Sequence, residues 1–100
     1  MNPTEYSIKA KVWLYPGEAA WYFVSIPNPY SKEIKKYFGE AARGWGSLPV
    51  KVTLGSTVWK TSIFPDKKLG EYLLPLKAEI RKREKITKDS TISFRIEILV

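Results

Sequence analysis

One hundred residues, 44% of them apolar and 14% aromatic, suffice for a single domain, 1–100, with a packed core; 17 Lys and Arg against 10 Asp and Glu leave a charge of +7 and a pI near 9.7. Neither Cys nor His occurs, which excludes disulfides, thiolate catalysis, sulfur-ligated metals and every Ser-His nucleophile, and removes the usual zinc ligand. No stretch nears the roughly 20 apolar residues of a membrane span, and Met1-Asn2-Pro3-Thr4-Glu5 lacks the basic flank and apolar run of a secretory signal, so a cytoplasmic protein is expected. Gln is absent, Asn occurs only at positions 2 and 28, and Lys, Glu and Ile are plentiful, a composition that hints at a thermophilic source.

The first element alternates cleanly. Tyr6, Ile8, Ala10, Val12 and Leu14 share one face, and Ser7, Lys9, Lys11, Trp13 and Tyr15 the other, as in a half-buried strand. Tyr15-Pro16-Gly17-Glu18 carries Pro and Gly at the centre of a type II turn, and a second strand runs from Ala20 to Ile26, ended by Pro27-Asn28-Pro29. Ser31 is placed to cap a short helix to about Phe38, with Gly39 as its stop. After the loop Arg43–Ser47, Leu48, Val50, Val52 and Leu54 alternate with polar residues up to a two-residue hairpin turn, Gly55-Ser56. That turn pairs Leu54 with Thr57, Val52 with Trp59, Val50 with Thr61 and Leu48 with Ile63. Residues 64–71 read as a loop, 72–74 as a short extended link, and Pro75 as the first turn of a helix to about Lys85. Ile92, Phe94, Ile96 and Ile98 mark the inner face of a final strand.

Laid on itself at an offset of 38, the chain aligns Gly17 with Gly55, Trp21 with Trp59, Pro27 with Pro65 and Asn28 with Asp66. The reading is a mainly β, α+β fold of order ββαββαβ, built from two pseudo-symmetric hairpin-helix halves. Trp21, Trp45, Trp59, Phe64, Leu74, Ile80 and Phe94 are expected to be largely buried.

Three motifs, Arg43-Gly44-Trp45-Gly46-Ser47, Phe64-Pro65-Asp66-Lys67-Lys68 and Leu73-Leu74-Pro75-Leu76-Lys77, stand in this order. With the opening strand and Trp21-Tyr22-Phe23-Val24, they resemble a small, widespread domain family without an established activity. That family occurs alone or beside a bacteriocin-resistance-like, OmpD-associated domain. The resemblance implies a double-split β-barrel, an architecture shared with swapped-hairpin DNA-binding domains of transition-state regulators and antitoxins. The family commonly carries Gly-Asp before its last strand, where this chain has Lys88-Asp89; a left-handed backbone at Lys88 would be strained.

Candidate ligand- or partner-binding residues are Arg43, Trp45, Asp66, Lys67, Lys68, Lys77 and Arg81. Arg43 beside flexible glycines suits a carboxylate or phosphate, although the favoured reading makes Trp45 a plug for the barrel end with Arg43 paired to a carboxylate. Asp66 after Pro65 is expected to cap a turn. Lys77, Arg81, Lys85 and Lys88 fall on one face of the expected helix and suit a phosphate backbone, though a charge run is ordinarily a solvated face. Trp13 and Tyr15 lie on the Lys9 and Lys11 face, where aromatic rings can stack on bases. No catalytic residue, cofactor or metal is expected. The reading is a small non-enzymatic binding module, with nucleic acid or another protein as partner and a monomer or homodimer as its state. Two alternatives stand beside it: nucleic-acid binding through the basic helix and the Lys9–Trp13 face, and a small anionic-ligand pocket where Arg43, Asp66, Lys67 and Tyr72 meet.

Overall fold

Period-two alternation becomes six antiparallel strands: β1 (Glu5–Leu14), β2 (Tyr22–Ile26), β3 (Leu48–Leu54), β4 (Thr57–Asp66), β5 (Glu71–Leu76) and β6 (Thr91–Ile98). Helix α1 (Tyr30–Phe38) follows β2 and helix α2 (Ala78–Arg83) follows β5. The computed structural model describes residues 4–17 and 21–100. The strands close into a barrel in the order β1-β2-β5-β4-β3-β6, so the fold is a mainly β, closed six-stranded antiparallel barrel with two short helices.

Closure follows from two long strands that change partners. β1 pairs with β6 from Glu5 to Lys11 and with β2 from Val12 to Leu14. β4 pairs with β3 from Thr57 to Ile63 and with β5 from Phe64 to Asp66. Inward residues then meet across strands, as in Val12–Val24–Leu74 and Tyr6–Ile96–Val52. Ile34 and Phe38 of α1 and Ile80 of α2 join the same core. The β3–β4 register is the one that the alternation and the Gly55-Ser56 turn predict. Gly55 (φ +58) and Gly17 (φ +82) hold the positive φ their turns require. Ala20, where the sequence starts the second strand, and Glu18, the last residue of its turn, lie outside the described residues.

Several expectations are corrected. Residues 71–76 form a strand, and Pro75 sits within it opposite Phe23 rather than opening a helix. Past Leu73 only β2 flanks β5, and such an edge tolerates proline. The element order is therefore ββαβββαβ. α2 begins at Ala78 and ends at Arg83, so Lys77, Lys85 and Lys88 are not on one helix face. Ser31 does not cap α1. Its buried hydroxyl donates to the Ile26 carbonyl at 2.6 Å and accepts the Tyr72 N–H at 2.8 Å, joining β2 and β5, while Asn28 Oδ1 takes the Lys32 N–H. Gly39 ends α1 at an ordinary helical φ of −58°. Before β6 the left-handed residue is Asp89 (φ 70), not Lys88; a short polar side chain tolerates that region.

The halves are also different from those the offset of 38 suggests. β1 and β3 both run antiparallel to β6, yet β2 and β4 lie on opposite hands of them. No rotation superposes hairpin β1–β2 on hairpin β3–β4. Strand order and direction map onto themselves when β1 exchanges with β4, β2 with β5 and β3 with β6. The repeated unit is thus ββαβ, and Trp21 and Trp59 are not equivalent. Trp21 is 54% exposed, Trp45 93% and Phe64 40%, against their expected burial, whereas Leu74, Ile80 and Phe94 are buried. Trp59 packs against the core and is half-covered.

Burial pushes the Tyr72 phenol above its usual value of 10.0, and burial followed by the nearby Glu33 charge does the same to Tyr6. A phenol whose folded pKa is raised supports the fold fully below pH ~10 and withdraws that support as pH rises through the folded value. Stability is therefore expected to fall steadily above pH ~10. Thermal melts from pH 8 to 12 check this, and Tyr72→Phe should flatten the alkaline decline.

Candidate functional site

Outward-facing positions divide the barrel surface in two. Over β6, β3 and the first half of β1 they are polar and paired: Lys51–Glu97 at 3.3 Å, Arg95–Glu5 at 3.3 Å and Lys11–Asp89 at 3.9 Å. Over the end of β1, β2, β5 and the end of β4 they are carbon-rich. Trp13, Phe23 and Pro75 form one cross-strand row, and Ser25, Leu73 and Phe64 the next. Trp13 stacks on Tyr15 (6.1 Å, 29°) and leans on Phe23 (5.4 Å), while Tyr15 meets Trp21 edge-on at 5.9 Å. The Trp13 Nε1–H donates to Ser25 Oγ at 3.0 Å, which fixes the indole plane. Leu73 is buried although it lies on this outer face, between Ser25 and Phe64.

Beside the Leu73 edge lies an open apolar hollow of ≈ 440 Å³, lined by Trp21, Tyr22, Phe23, Phe64, Leu73, Pro75, Leu76 and Lys77. Among the described residues Lys77 is its only charged wall, and no acidic side chain lines it. Arg81 supports it from below: its Nε–H donates to the Leu76 carbonyl at 3.1 Å and its guanidinium lies 3.9 Å from the Tyr22 ring centroid.

The Arg43–Ser47 loop is a tight, self-bonded turn. The Arg43 N–H donates to the Ser47 carbonyl and the Gly46 N–H to the Arg43 carbonyl, each at 2.8 Å. Trp45 adopts φ 64 and projects its indole into solvent, so it does not plug the barrel. Gly46 (φ +77) packs so closely on Pro65 that an added Cβ would stand 2.9 Å from the proline Cγ. The first two motifs thereby meet, and Trp45 is set beside the end of β4 that carries Phe64.

Asp66 takes the turn-capping role. Its Oδ1 accepts the Lys68 and Leu69 N–H groups at 2.9 and 3.2 Å, leaving Lys67 and Lys68 exposed on that turn. Asp66, Lys67 and Tyr72 do share a hollow of ≈ 310 Å³ with Lys32, Lys35 and Glu71, but Arg43 does not line it. The structure thus separates the candidates into Asp66 and Lys67 at this hollow, Lys77 and Arg81 at the apolar one, Lys68 exposed on its turn, and Arg43 with Trp45 on the loop between α1 and β3. Among the described residues no three acidic side chains cluster to hold a metal ion, and no helix is long and apolar enough to cross a membrane.

Residues 9–96 match a domain of unknown function, DUF1905. The chain belongs to the DUF1905 family. The matched span contains all three motifs and every strand apart from the first residues of β1 and the last of β6. No curated protein matches the chain. The DUF1905 motifs thus converge on the rim between the Trp45 loop and the aromatic face. Trp21, Phe23, Phe64, Leu73 and Pro75 are the residues of this face that the sequence reading did not single out as a site. Parity was the available signal, since strict alternation sets Trp21 and Phe23 with Ser25, opposite Val24 and Ile26.

Proposed function

We propose that this DUF1905 protein is a small non-enzymatic binding module whose docking surface is the outer aromatic face of β1, β2, β5 and β4. The observation behind this reading is the apolar hollow with Trp21 and Phe64 exposed on its walls. Aromatic rings left in water around a concave apolar surface are characteristic of binding sites. The double-split architecture implied by the family resemblance is part of the proposal, supported by the partner exchange of β1 and β4. The absence of His and Cys from the sequence, and the engagement of Asp66 with its own turn, favour binding over catalysis.

Titrating ¹⁵N-labelled protein with small aromatic fragments such as indole is expected to shift the amide signals of Tyr22, Phe23, Leu73 and Leu76. Shifts scattered over the barrel, or confined to the polar β6–β3 side, would contradict the reading. A second reading places a small anion in the hollow beside Asp66, favoured by Lys32, Lys35 and Lys67, none of which is ion-paired among the described residues. Inorganic phosphate in the same titration would then move Lys32, Lys35 and Lys67 instead.

A further inference from the structure

We propose that the occupant of this face is single-stranded nucleic acid, an inference that rests on the docking reading above and assigns its partner. Four rings stand in water along one path: Tyr15 and Trp21 at one end of the hollow, Phe64 at the other, and Trp45 beyond it. The path is continuous because Tyr15 touches Trp21, Trp21 and Phe64 wall the same hollow, and Gly46 rests on Pro65, the residue after Phe64.

Cations accompany the rings at short intervals. Arg43 precedes Trp45 by two positions, Lys67 and Lys68 follow Phe64, and Lys77 walls the hollow. A ligand matching this pattern alternates flat apolar units with anions. Single-stranded DNA or RNA does so, whereas a duplex hides the faces of its bases. The chain charge of +7 has the matching sign for a polyanion.

Trp45 adds an independent sign. A bulky residue at φ 64 is conformationally unfavourable, and at 93% exposure its apolar ring faces water. Both faces of that indole are open to a stacking partner. A partner that filled only the hollow would leave it in water.

The test uses the full chain and a fluorescein-labelled twelve-nucleotide oligothymidylate, followed by polarisation and tryptophan fluorescence at two salt concentrations. Salt-sensitive micromolar binding with quenched tryptophan emission is expected, and Trp45→Ala and Trp21→Ala should each weaken it by about tenfold. Val58→Ala, on the polar side of β4, should leave it unchanged, and melting curves confirm that all variants fold. Equal affinity for heparin with no effect of either tryptophan variant would overturn the proposal, leaving only a charged surface. Preference for a duplex, for an acidic peptide or for anionic lipid vesicles would overturn it as well. Absence of oligonucleotide binding, with indole still shifting Phe23 and Leu73, would sink the nucleic-acid assignment alone. Failure of both titrations would remove the docking face itself.

Discussion

Gly46→Ala is expected to lower stability by about 2–4 kcal/mol, read from urea or thermal unfolding. Two penalties combine at this position. The φ of +77° is costly for any residue with a Cβ, and that Cβ would meet the Pro65 Cγ at 2.9 Å. Pro65 is a rigid ring in β4, so the loop rather than the strand must move. Trp45→Asn, one residue earlier, should do the reverse. Asparagine tolerates the left-handed region, and an exposed indole contributes no packing to the fold. Stability equal to or above that of the parent is expected. A neutral Gly46→Ala together with a destabilising Trp45→Asn would mean that the indole packs inward and that the loop is not seated on Pro65.

Leu74→Ala is expected to cost about 2–5 kcal/mol, the range for a fully enclosed aliphatic side chain. Leu74 is wholly buried and lies opposite Val24 in the centre of β5. As the middle of a barrel strand, Leu74 leaves a closed cavity when truncated. A side chain bordering solvent would lose only the ~0.5 kcal/mol of a surface change. A loss within that small range, read from urea unfolding, would contradict the enclosed position of Leu74 in the barrel.

The sequence is most legible where structure is local. The β3–β4 hairpin follows from alternation and one turn glycine, because a two-residue connection fixes the register of everything beyond it. β1 and β6 are equally plain, since each has one wet face. β5 is obscured because both faces of Tyr72-Leu73-Leu74 are covered, so the alternation disappears, and because a proline after a short apolar run also reads as a helix start. Trp21, Trp45 and Phe64 are misread for a single reason. The general tendency of large rings to be buried outweighed local information, namely parity at Trp21 and flanking glycines at Trp45.

The internal symmetry shows a further limit. Matching tryptophans at an offset of 38 describe a resemblance of letters, whereas the two-fold of the barrel relates β1 to β4 and β2 to β5, pairs that this offset does not bring together. Of the residues singled out as a site, Asp66 serves the turn that follows it, Arg81 braces Tyr22, and Lys77 borders the aromatic hollow. Chemistry-bearing residue types were therefore easy to find, but the surface that assembles them depends on strand pairings between distant segments. No pattern within one element reveals it.

The chain has four tryptophans, and their indole N–H signals in a two-dimensional NMR spectrum offer the most direct check on the exposed aromatic path. On adding oligothymidylate, the Trp21 and Trp45 signals are predicted to move while that of Trp59, packed against the core, keeps its position. Movement of Trp59 with Trp21 and Trp45 unchanged would contradict the account.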